Sequence, residues 1–122
     1  MKESQMVKDQ FRLLLGQNKH RFPKLRQTLN APTEQGVYII RKDDTALHVG
    51  RTLRGKKGLQ QRLKDHLNGA SSFTKQYLKG NGAKLREDYN YQFLIIEDNR
   101  LRALVEAYAI GMLCPMHIGL GS

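Results

Sequence analysis

Residues 36–66 read GVYIIRKDDTALHVGRTLRGKKGLQQRLKDH, and this stretch decides the fold. Two short runs rich in β-branched and aromatic residues, 36–41 and 46–50, flank a polar turn at Asp43-Asp44. Runs of this kind joined by so short a connection predict an antiparallel β-hairpin. In such a hairpin Tyr38 and His48 can lie near each other, although the sequence leaves the register open.

A cationic loop and a helix are predicted to follow the hairpin. Residues 51–58 (RTLRGKKG) combine Lys and Arg with two glycines, which indicates a mobile loop. Leucines then recur at helical spacing over 59–67, and Asn68-Gly69 is typical of a helix end. Arg62 and His66 stand one turn apart beside that apolar stripe.

The flanking segments add helices and one more strand. Residues 1–30 are predicted to form a basic helical extension that ends or breaks at Gly16, with a second short turn from Pro23 to Leu29. The remaining predicted elements are a short helix over 71–78 capped by Ser71 or Ser72, a strand over 91–97, and a helix over 100–113 capped by Asp98 or Asn99.

This order of elements predicts an α/β (α+β) fold with a small, three-stranded, largely antiparallel sheet flanked by helices. The N-terminal extension, 1–30, is expected to pack against the main domain, 31–122. A chain of 122 residues has the usual size of one domain, so the two parts together should form a single compact unit.

Composition points to a polyanionic partner. Lys and Arg number 21 against 11 acidic residues, for a net charge of +10, which favours nucleic acid over a membrane or an acidic protein. A ribosomal or merely soluble basic protein has the same composition. The single cysteine, Cys114, suits a reducing compartment. Because the sequence shows no signal-peptide core and no apolar run of membrane-spanning length, a cytoplasmic protein is expected.

Glu106 is the sharpest single signal, because it is the only charged residue in the segment 103–113 (ALVEAYAIGML). A helix that is apolar on all sides is expected to be buried, and an unpaired buried carboxylate is unstable unless its pKa rises. Two explanations stay open. Glu106 pairs with an arginine, for which Arg62 is the obvious candidate, or it binds a hard divalent cation, which prefers carboxylate oxygen. Both hold if Arg62 and the ion share one pocket.

The remaining candidates each have an ordinary explanation when taken alone. Tyr38 in a strand is commonly a packing residue, and a lone histidine such as His48 is more often a core residue than a catalyst. Arg62 and His66 together describe a common solvated helix face. Their order along the chain gives them more weight than their individual identities.

That order resembles the GIY-YIG nuclease family. Gly36-Val37-Tyr38 stands as the GIY element, and His48-Val49-Gly50 stands as the YIG element, with His48 ten residues after Tyr38. Arg62 occupies the place of the family's helix arginine. His66 follows one turn later, as in some restriction-enzyme members, and Glu106 matches the family's metal-binding glutamate.

The resemblance covers about residues 34–118 and implies a divalent-metal-dependent endonuclease that hydrolyses phosphodiester bonds in DNA. It implies one Mg²⁺ or Mn²⁺ ion held by Glu106, and Arg62 hydrogen-bonded to the phosphoryl oxygens. Tyr38 would orient or deprotonate the attacking water. His66 would accept a proton or hold the phosphate.

Three departures from the family pattern bear on this expectation. His48 stands where the family usually has tyrosine; an imidazole still donates to phosphate or water, so altered tuning of the site is expected. The family commonly closes with an asparagine shortly after a proline, whereas Pro115-Met116-His117 offers His117 or nothing. With no appended DNA-binding domain in the sequence, target choice is expected to come from the domain itself, a homodimer or a partner subunit.

The cations of the central stretch are expected to contact the phosphate backbone of duplex or branched DNA. They are Arg41, Lys42, Arg51, Arg54, Lys56 and Lys57. Contacts of this kind position a nucleic acid without reading its sequence. The alternative is that the loop is merely flexible and solvated.

Three functions therefore compete. An endonuclease explains Tyr38, Arg62 and Glu106 together. A catalytically weak or inactive nucleic-acid-binding module of the same fold is the alternative, motivated by His48 and the missing asparagine. A basic structural protein of a ribonucleoprotein explains the charge but not a lone carboxylate among apolar residues.

Overall fold

The computed structural model describes residues 2–119; Met1 and the last three residues of the predicted domain, 120–122, lie outside that range. In chain order the elements are α1 (Glu3–Leu15), β1 (His20–Arg21), β2 (Gly36–Lys42), β3 (Thr45–Arg51), α2 (Gly58–Leu67), α3 (Ser72–Gln76), a 3₁₀ helix (Gly82–Arg86), β4 (Tyr89–Ile95) and α4 (Asn99–Leu113). Within the described residues, none of these helices combines the length and apolarity that a membrane crossing needs.

The four strands form one antiparallel sheet in the order β1-β4-β2-β3. The predicted hairpin is β2 and β3, and its register sets Tyr38 opposite Gly50 and Ile40 opposite His48. The predicted third strand is β4, which begins two residues earlier than expected, at Tyr89. The α+β fold is confirmed, with β1 as an additional strand. Strand β1 has only two residues, both exposed, so it shows no alternation of apolar side chains from which it could be predicted.

Strand β2 is buried on both faces, so it reads as a continuous apolar run. Side chains alternate along a strand, and Val37 and Ile39 pack with α1 and α4 on one face of the sheet. Tyr38 and Ile40 pack with α2 and with Phe73 of α3 on the other face. The molecule therefore has a three-layer arrangement, with the sheet between two separate apolar cores.

The helices match the sequence expectations closely. The three leucines predicted as the stripe of α2 are all buried, and α1 ends at Gly16 as expected. Ser71 caps α3 and Asp98 caps α4, each through its side-chain oxygen. The segment from Pro23 to Leu29 contains a turn, as predicted, but no helix, so the extension 1–30 is helical only in α1; burial of Phe22 and Leu29 holds the segment in place.

The segment that follows α4 runs back along β3. The amide of Met116 donates to the carbonyl of Ala46 at 3.2 Å, and the amide of His117 donates to that of Leu47 at 2.8 Å. Since β3 lies at the end of the strand order, these bonds cover backbone groups that would otherwise be an open sheet edge. They also place the side chain of His117 beside His48.

Candidate active site

A cavity of about 400 Å³ opens where the end of β3, the first half of α2 and the middle of α4 meet. Its wall includes Arg51, the last residue of β3, and the loop residues 52–55 that follow it. Arg62 and Asp65 line it from α2, and Glu106 lines it from α4. Two of the predicted catalytic residues, Arg62 and Glu106, therefore face one cavity although their helices lie on opposite faces of the sheet.

Glu106 is paired with Arg51 and not with Arg62. The Nε of Arg51 donates to Oε1 of Glu106 at 2.9 Å, and the two side chains are 33% and 23% exposed. Strand alternation explains the partner, because Arg51 points to the α4 face while Arg62 reaches the cavity from the other side. Glu106 is thus only partly buried, which differs from the full burial that the apolar sequence of α4 predicts. Arg62 makes no ion pair with any carboxylate of residues 2–119.

Tyr38 lies behind the cavity wall and is fully buried. Its ring crosses Gly50, where a Cβ would overlap the hydroxyl and the ring carbon that bears it. This overlap gives a physical reason for the glycine of the HVG motif, since any side chain at that position displaces Tyr38. The charges of Arg62, Glu106 and Asp65 all act on the Tyr38 hydroxyl, which therefore lies close to the cavity without lining it.

A chain of hydrogen bonds runs from the Tyr38 hydroxyl through His66 and Ser71 to Thr74. The donor in each bond follows from the bonds that Thr74 makes. Thr74 Oγ1 donates to the carbonyl of Ser71 at 3.1 Å, so it accepts from Ser71 Oγ at 3.0 Å. Ser71 Oγ then accepts from Nδ1 of His66 at 2.6 Å. Because Nδ1 carries the proton of the neutral ring, Nε2 of His66 is unprotonated and accepts from the Tyr38 hydroxyl at 2.6 Å. Tyr38 is therefore a hydrogen-bond donor in this network.

Protonation of these groups follows from their burial. Burial raises the pKa of the Tyr38 hydroxyl above its ordinary value, although the nearby Arg62 acts in the opposite direction. Burial lowers the pKa of His66 well below its ordinary value, and the positive charge of Arg62 acts in the same direction. Tyr38 is therefore protonated and His66 neutral, and the role of Tyr38 as a base that the resemblance implies stays a prediction.

His48 belongs to a second network with His117. Nε2 of His117 lies 2.7 Å from Oε1 of Gln76, to which it donates, so a neutral His117 has a bare Nδ1. That nitrogen lies 3.1 Å from Nδ1 of His48, which must therefore carry the proton. The other nitrogen of His48, Nε2, makes no side-chain hydrogen bond within residues 2–119 and retains its lone pair. Burial, with the charges of His117 and Arg62, lowers the pKa of His48 to about 3.

The predicted nucleic-acid contacts fall into two groups. Arg54, Lys56 and Lys57 are exposed on the loop beside the cavity. Arg41 and Lys42 lie at the opposite end of the hairpin, next to its turn. Arg41 is buried and donates from Nε to Gln92 Oε1 at 2.9 Å, while Lys42 is exposed and lies over the ring of Tyr89 at 5.2 Å. Arg41 is thus occupied in the protein interior.

The donor set of the cavity fits one hydrated hard cation. No group of three or more His, Cys, Asp or Glu side chains within residues 2–119 is arranged to hold a metal. Glu106 and Asp65 line the same cavity, and Glu106 keeps one carboxylate oxygen outside its bond to Arg51. Mg²⁺ typically keeps several waters and takes one or two protein carboxylates, so this sparse set suits it.

The structure also shows residues that sequence reasoning missed. Gln76, Ser71 and Thr74 orient the histidines, and nothing in their local sequence separates them from ordinary helix-surface residues. Arg102 is 1% exposed and ties the cavity loop to α4 through its guanidinium. Its position in the same helix one turn before Glu106 is the only sequence feature that connects it with the site.

Solved structures of known proteins show the same fold. The GIY-YIG N-terminal endonuclease domain of UvrC from Thermotoga maritima, bound to magnesium as its catalytic divalent cation, is 22% identical over 98% of this chain and 100% of that chain, with a TM-score of 0.54. A point variant of that domain, also bound to its catalytic cation, is 22% identical over 98% and 99% of the two chains, with a TM-score of 0.55. No protein-family model and no curated protein sequence matches this chain. The predicted GIY-YIG fold is confirmed.

Proposed function

We propose that this chain, which has the GIY-YIG endonuclease-domain fold, is a divalent-cation-dependent endonuclease that hydrolyses phosphodiester bonds in DNA. The observation that carries the proposal is the single cavity that Arg62 and Glu106 line from opposite faces of the sheet, with the Tyr38 hydroxyl behind it. A cation-binding carboxylate, a phosphate-binding guanidinium and a fixed hydroxyl are the parts that phosphodiester hydrolysis needs.

Glu106 would hold one Mg²⁺ or Mn²⁺ ion, with Asp65 near enough to bind its waters. When bound, the ion supplies positive charge for the phosphate and for the oxygen that leaves it. Arg51 holds Glu106 in place through its bond to Oε1. This pairing leaves Arg62 available for the substrate, where its planar donors suit the oxygens of a phosphoryl group.

The remaining residues would position and deprotonate the attacking water. Tyr38, protonated and held by His66, would orient water or phosphate through its hydroxyl oxygen. His48 is the proton acceptor in this proposal, because its Nε2 lone pair is unused. Its lowered pKa keeps the ring neutral at pH 7 but also makes it a weak base. A phosphate anion bound to Arg62 offsets one of the positive charges that lower this pKa, and so makes His48 a stronger base.

Arg54, Lys56 and Lys57 would contact the phosphate backbone on either side of the cleaved bond. Such contacts carry no sequence information. Target choice by a second copy of the chain or by a partner subunit is therefore part of the proposal. A reducing, intracellular location is also part of it, supported by the single, exposed cysteine.

The proposal is tested by cleavage of supercoiled plasmid and branched DNA with Mg²⁺ or Mn²⁺. Wild type should nick in a metal-dependent way, and Glu106→Gln and Arg62→Ala should each abolish nicking while circular dichroism shows a retained fold. Glu97→Gln is the matched control, because it removes one exposed carboxylate near the start of the same helix and should cut like wild type. Full activity of Glu106→Gln would contradict the assigned site.

A second candidate function is a catalytically weak or inactive nucleic-acid-binding module. It is favoured by the ion pair that neutralises Glu106 and by the complete burial of Tyr38. This candidate predicts that wild type binds DNA tightly and leaves it intact with every divalent cation.

A further inference from the structure

A second cationic surface lies outside the cavity of the candidate active site. We call it the Arg86 surface, and it is formed by Lys24, Arg26, Lys64, Lys84 and Arg86. These residues come from the loop that follows β1, from α2 and from the 3₁₀ helix. Segments distant in the sequence therefore converge on one region of the surface.

The Arg86 surface is a built feature, because the side chain of Arg86 fixes the loop that carries two of the other cations, Lys24 and Arg26. Its Nη1 donates to the carbonyl of Pro23 at 2.8 Å and to the carbonyl of Lys24 at 2.9 Å. Burial of Phe22 and Leu29 anchors the loop on both sides of these bonds. The cations at its tip are thus presented on a supported backbone.

The positive charge of this surface is not cancelled. None of its five cations makes an ion pair within residues 2–119, whereas the neighbouring Arg21 is paired with Asp88 at 2.7 Å. The partners of Arg86 are neutral carbonyls, which leave its charge in place. One unpaired carboxylate, Glu87, lies nearby. Like charges held together repel, and a bound polyanion relieves that repulsion.

The surface is also concave. Three depressions of about 310 to 420 Å³ meet at Arg86, which lines all of them. Lys24 lines two of the three, and Arg26 and Lys64 line the third. Among the described residues that line it, Glu87 is the only unpaired carboxylate, so the groove is predominantly positive and suits an extended polyanionic strand better than a compact ligand.

Helix α2 separates this groove from the candidate active site. Gln60 and Lys64 line the groove on one side of the helix, while Gln61, Arg62 and Asp65 line the cavity on the other. An α-helix with its side chains is about 10–12 Å across, roughly a third of one turn of duplex DNA. A nucleic acid whose phosphate is bound at Arg62 therefore passes within reach of the groove.

We propose that the Arg86 surface binds the phosphate backbone of the nucleic acid at positions beyond the one held in the cavity. This inference rests on the proposed function for its substrate class, and it adds a second contact region that the motif residues do not supply. The contacts are electrostatic, so each phosphate bound by a cation should add about 0.9 to the slope of log affinity against log salt concentration.

The test is fluorescence anisotropy of a labelled duplex, without divalent cation, over a series of salt concentrations. The double variant Lys24→Glu/Lys84→Glu removes two groove cations that make no structural hydrogen bonds through their side chains, so the fold should persist. Lys2→Glu/Lys8→Glu is the matched control, because it makes the same charge change on or beside α1, across the sheet from the groove. The groove variant should bind at least about 10-fold more weakly with a salt slope lower by about two, and the control should change little.

Cleavage of the same duplex with Mg²⁺ separates this inference from the proposed function. The groove variant should raise KM while kcat stays near the wild-type value. If both double variants weaken binding equally, net charge alone is responsible and the groove is not a binding surface. If wild type binds with the expected groove dependence but never cuts, the proposed function fails while the Arg86 surface stands. If wild type binds no nucleic acid, both fail.

Discussion

Arg102→Met should destabilise the protein more than any other single substitution outside the apolar core. Arg102 is 1% exposed, and its guanidinium donates to four carbonyls and one side chain. The acceptors are the carbonyls of Thr52, Leu53, Ile96 and Glu97 and the side-chain oxygen of Asn99. These bonds join the cavity loop, the segment after β4 and the first turn of α4 at one point.

The size of the effect follows from what methionine leaves behind. Its volume is similar, so the cavity contribution is small, but four carbonyls lose their donor at once. Leaving one buried acceptor without a hydrogen-bond partner lowers the free energy of unfolding by about 1–3 kcal/mol. The bonds to the Leu53 and Glu97 carbonyls are only partly buried, so water can replace the lost donor there, whereas the bonds to Thr52 and Ile96 are buried. Because such losses within one network are not additive, we expect a decrease of about 3–5 kcal/mol in the free energy of unfolding.

Urea denaturation followed by circular dichroism measures this change. Arg100→Met is the matched control: it lies two residues earlier in the same helix, and its ion pair with Glu3 at 2.7 Å is exposed, so its unfolding midpoint should match wild type. A loss of less than about 1 kcal/mol for Arg102→Met would refute the argument. Equal midpoints for the two variants would refute it as well. Faster amide exchange at Thr52, measured on folded Arg102→Lys, would link the same bonds to order in the cavity wall.

Three further predictions follow from the site. Gly50→Ala should destabilise the fold by about 1–3 kcal/mol in urea and abolish cleavage, because its Cβ occupies the space of the Tyr38 hydroxyl; a wild-type midpoint would contradict this packing. The pKa of His48 is about 3 in the folded protein, against about 6.5 for a histidine in the unfolded chain. Below pH 6.5 the unfolded state therefore binds more protons than the folded state. The free energy of unfolding should fall as the pH decreases from about 6.5, by up to about 1.4 kcal/mol per pH unit. A His48→Gln variant should lose part of that slope, and an unchanged slope would assign the pH dependence to other groups. In a double-mutant cycle, His48→Tyr with His117→Asn should be less damaging to stability than the sum of the two single changes, by about 0.5–3 kcal/mol, and strict additivity would mean that the two rings do not interact.

Local sequence patterns predicted the parts of the fold that depend on neighbouring residues. The hairpin, the leucine stripe of α2 and the caps at Ser71 and Asp98 are all present. Each is encoded within a few consecutive residues, where alternation, helical spacing and capping chemistry act. Strand β1 was not predicted, because its two residues are strand only through pairing with β4.

The partner of Glu106 shows where local patterns stop being informative. Arg62 was the candidate partner if Glu106 pairs with an arginine, yet Arg51 occupies that position. Which arginine reaches Glu106 depends on the face of the sheet toward which β3 points its last side chain, and therefore on the register. The sequence left that register open. The exposure of Glu106 follows from the same fact, because α4 packs on the sheet with its apolar side and turns this residue toward the cavity.

The two residues that depart from the motif, His48 and His117, are in contact with each other. Taken separately in the sequence, a histidine in place of tyrosine and a missing asparagine each weakened the case for an active enzyme. In the structure His117 accepts from His48 and donates to Gln76, so the two departures form one arrangement that holds a neutral imidazole with a free nitrogen. Under the proposed function this imidazole is the proton acceptor, and the two departures are then parts of one site. Under the inactive module the same pair is a hydrogen-bonded feature of the protein interior.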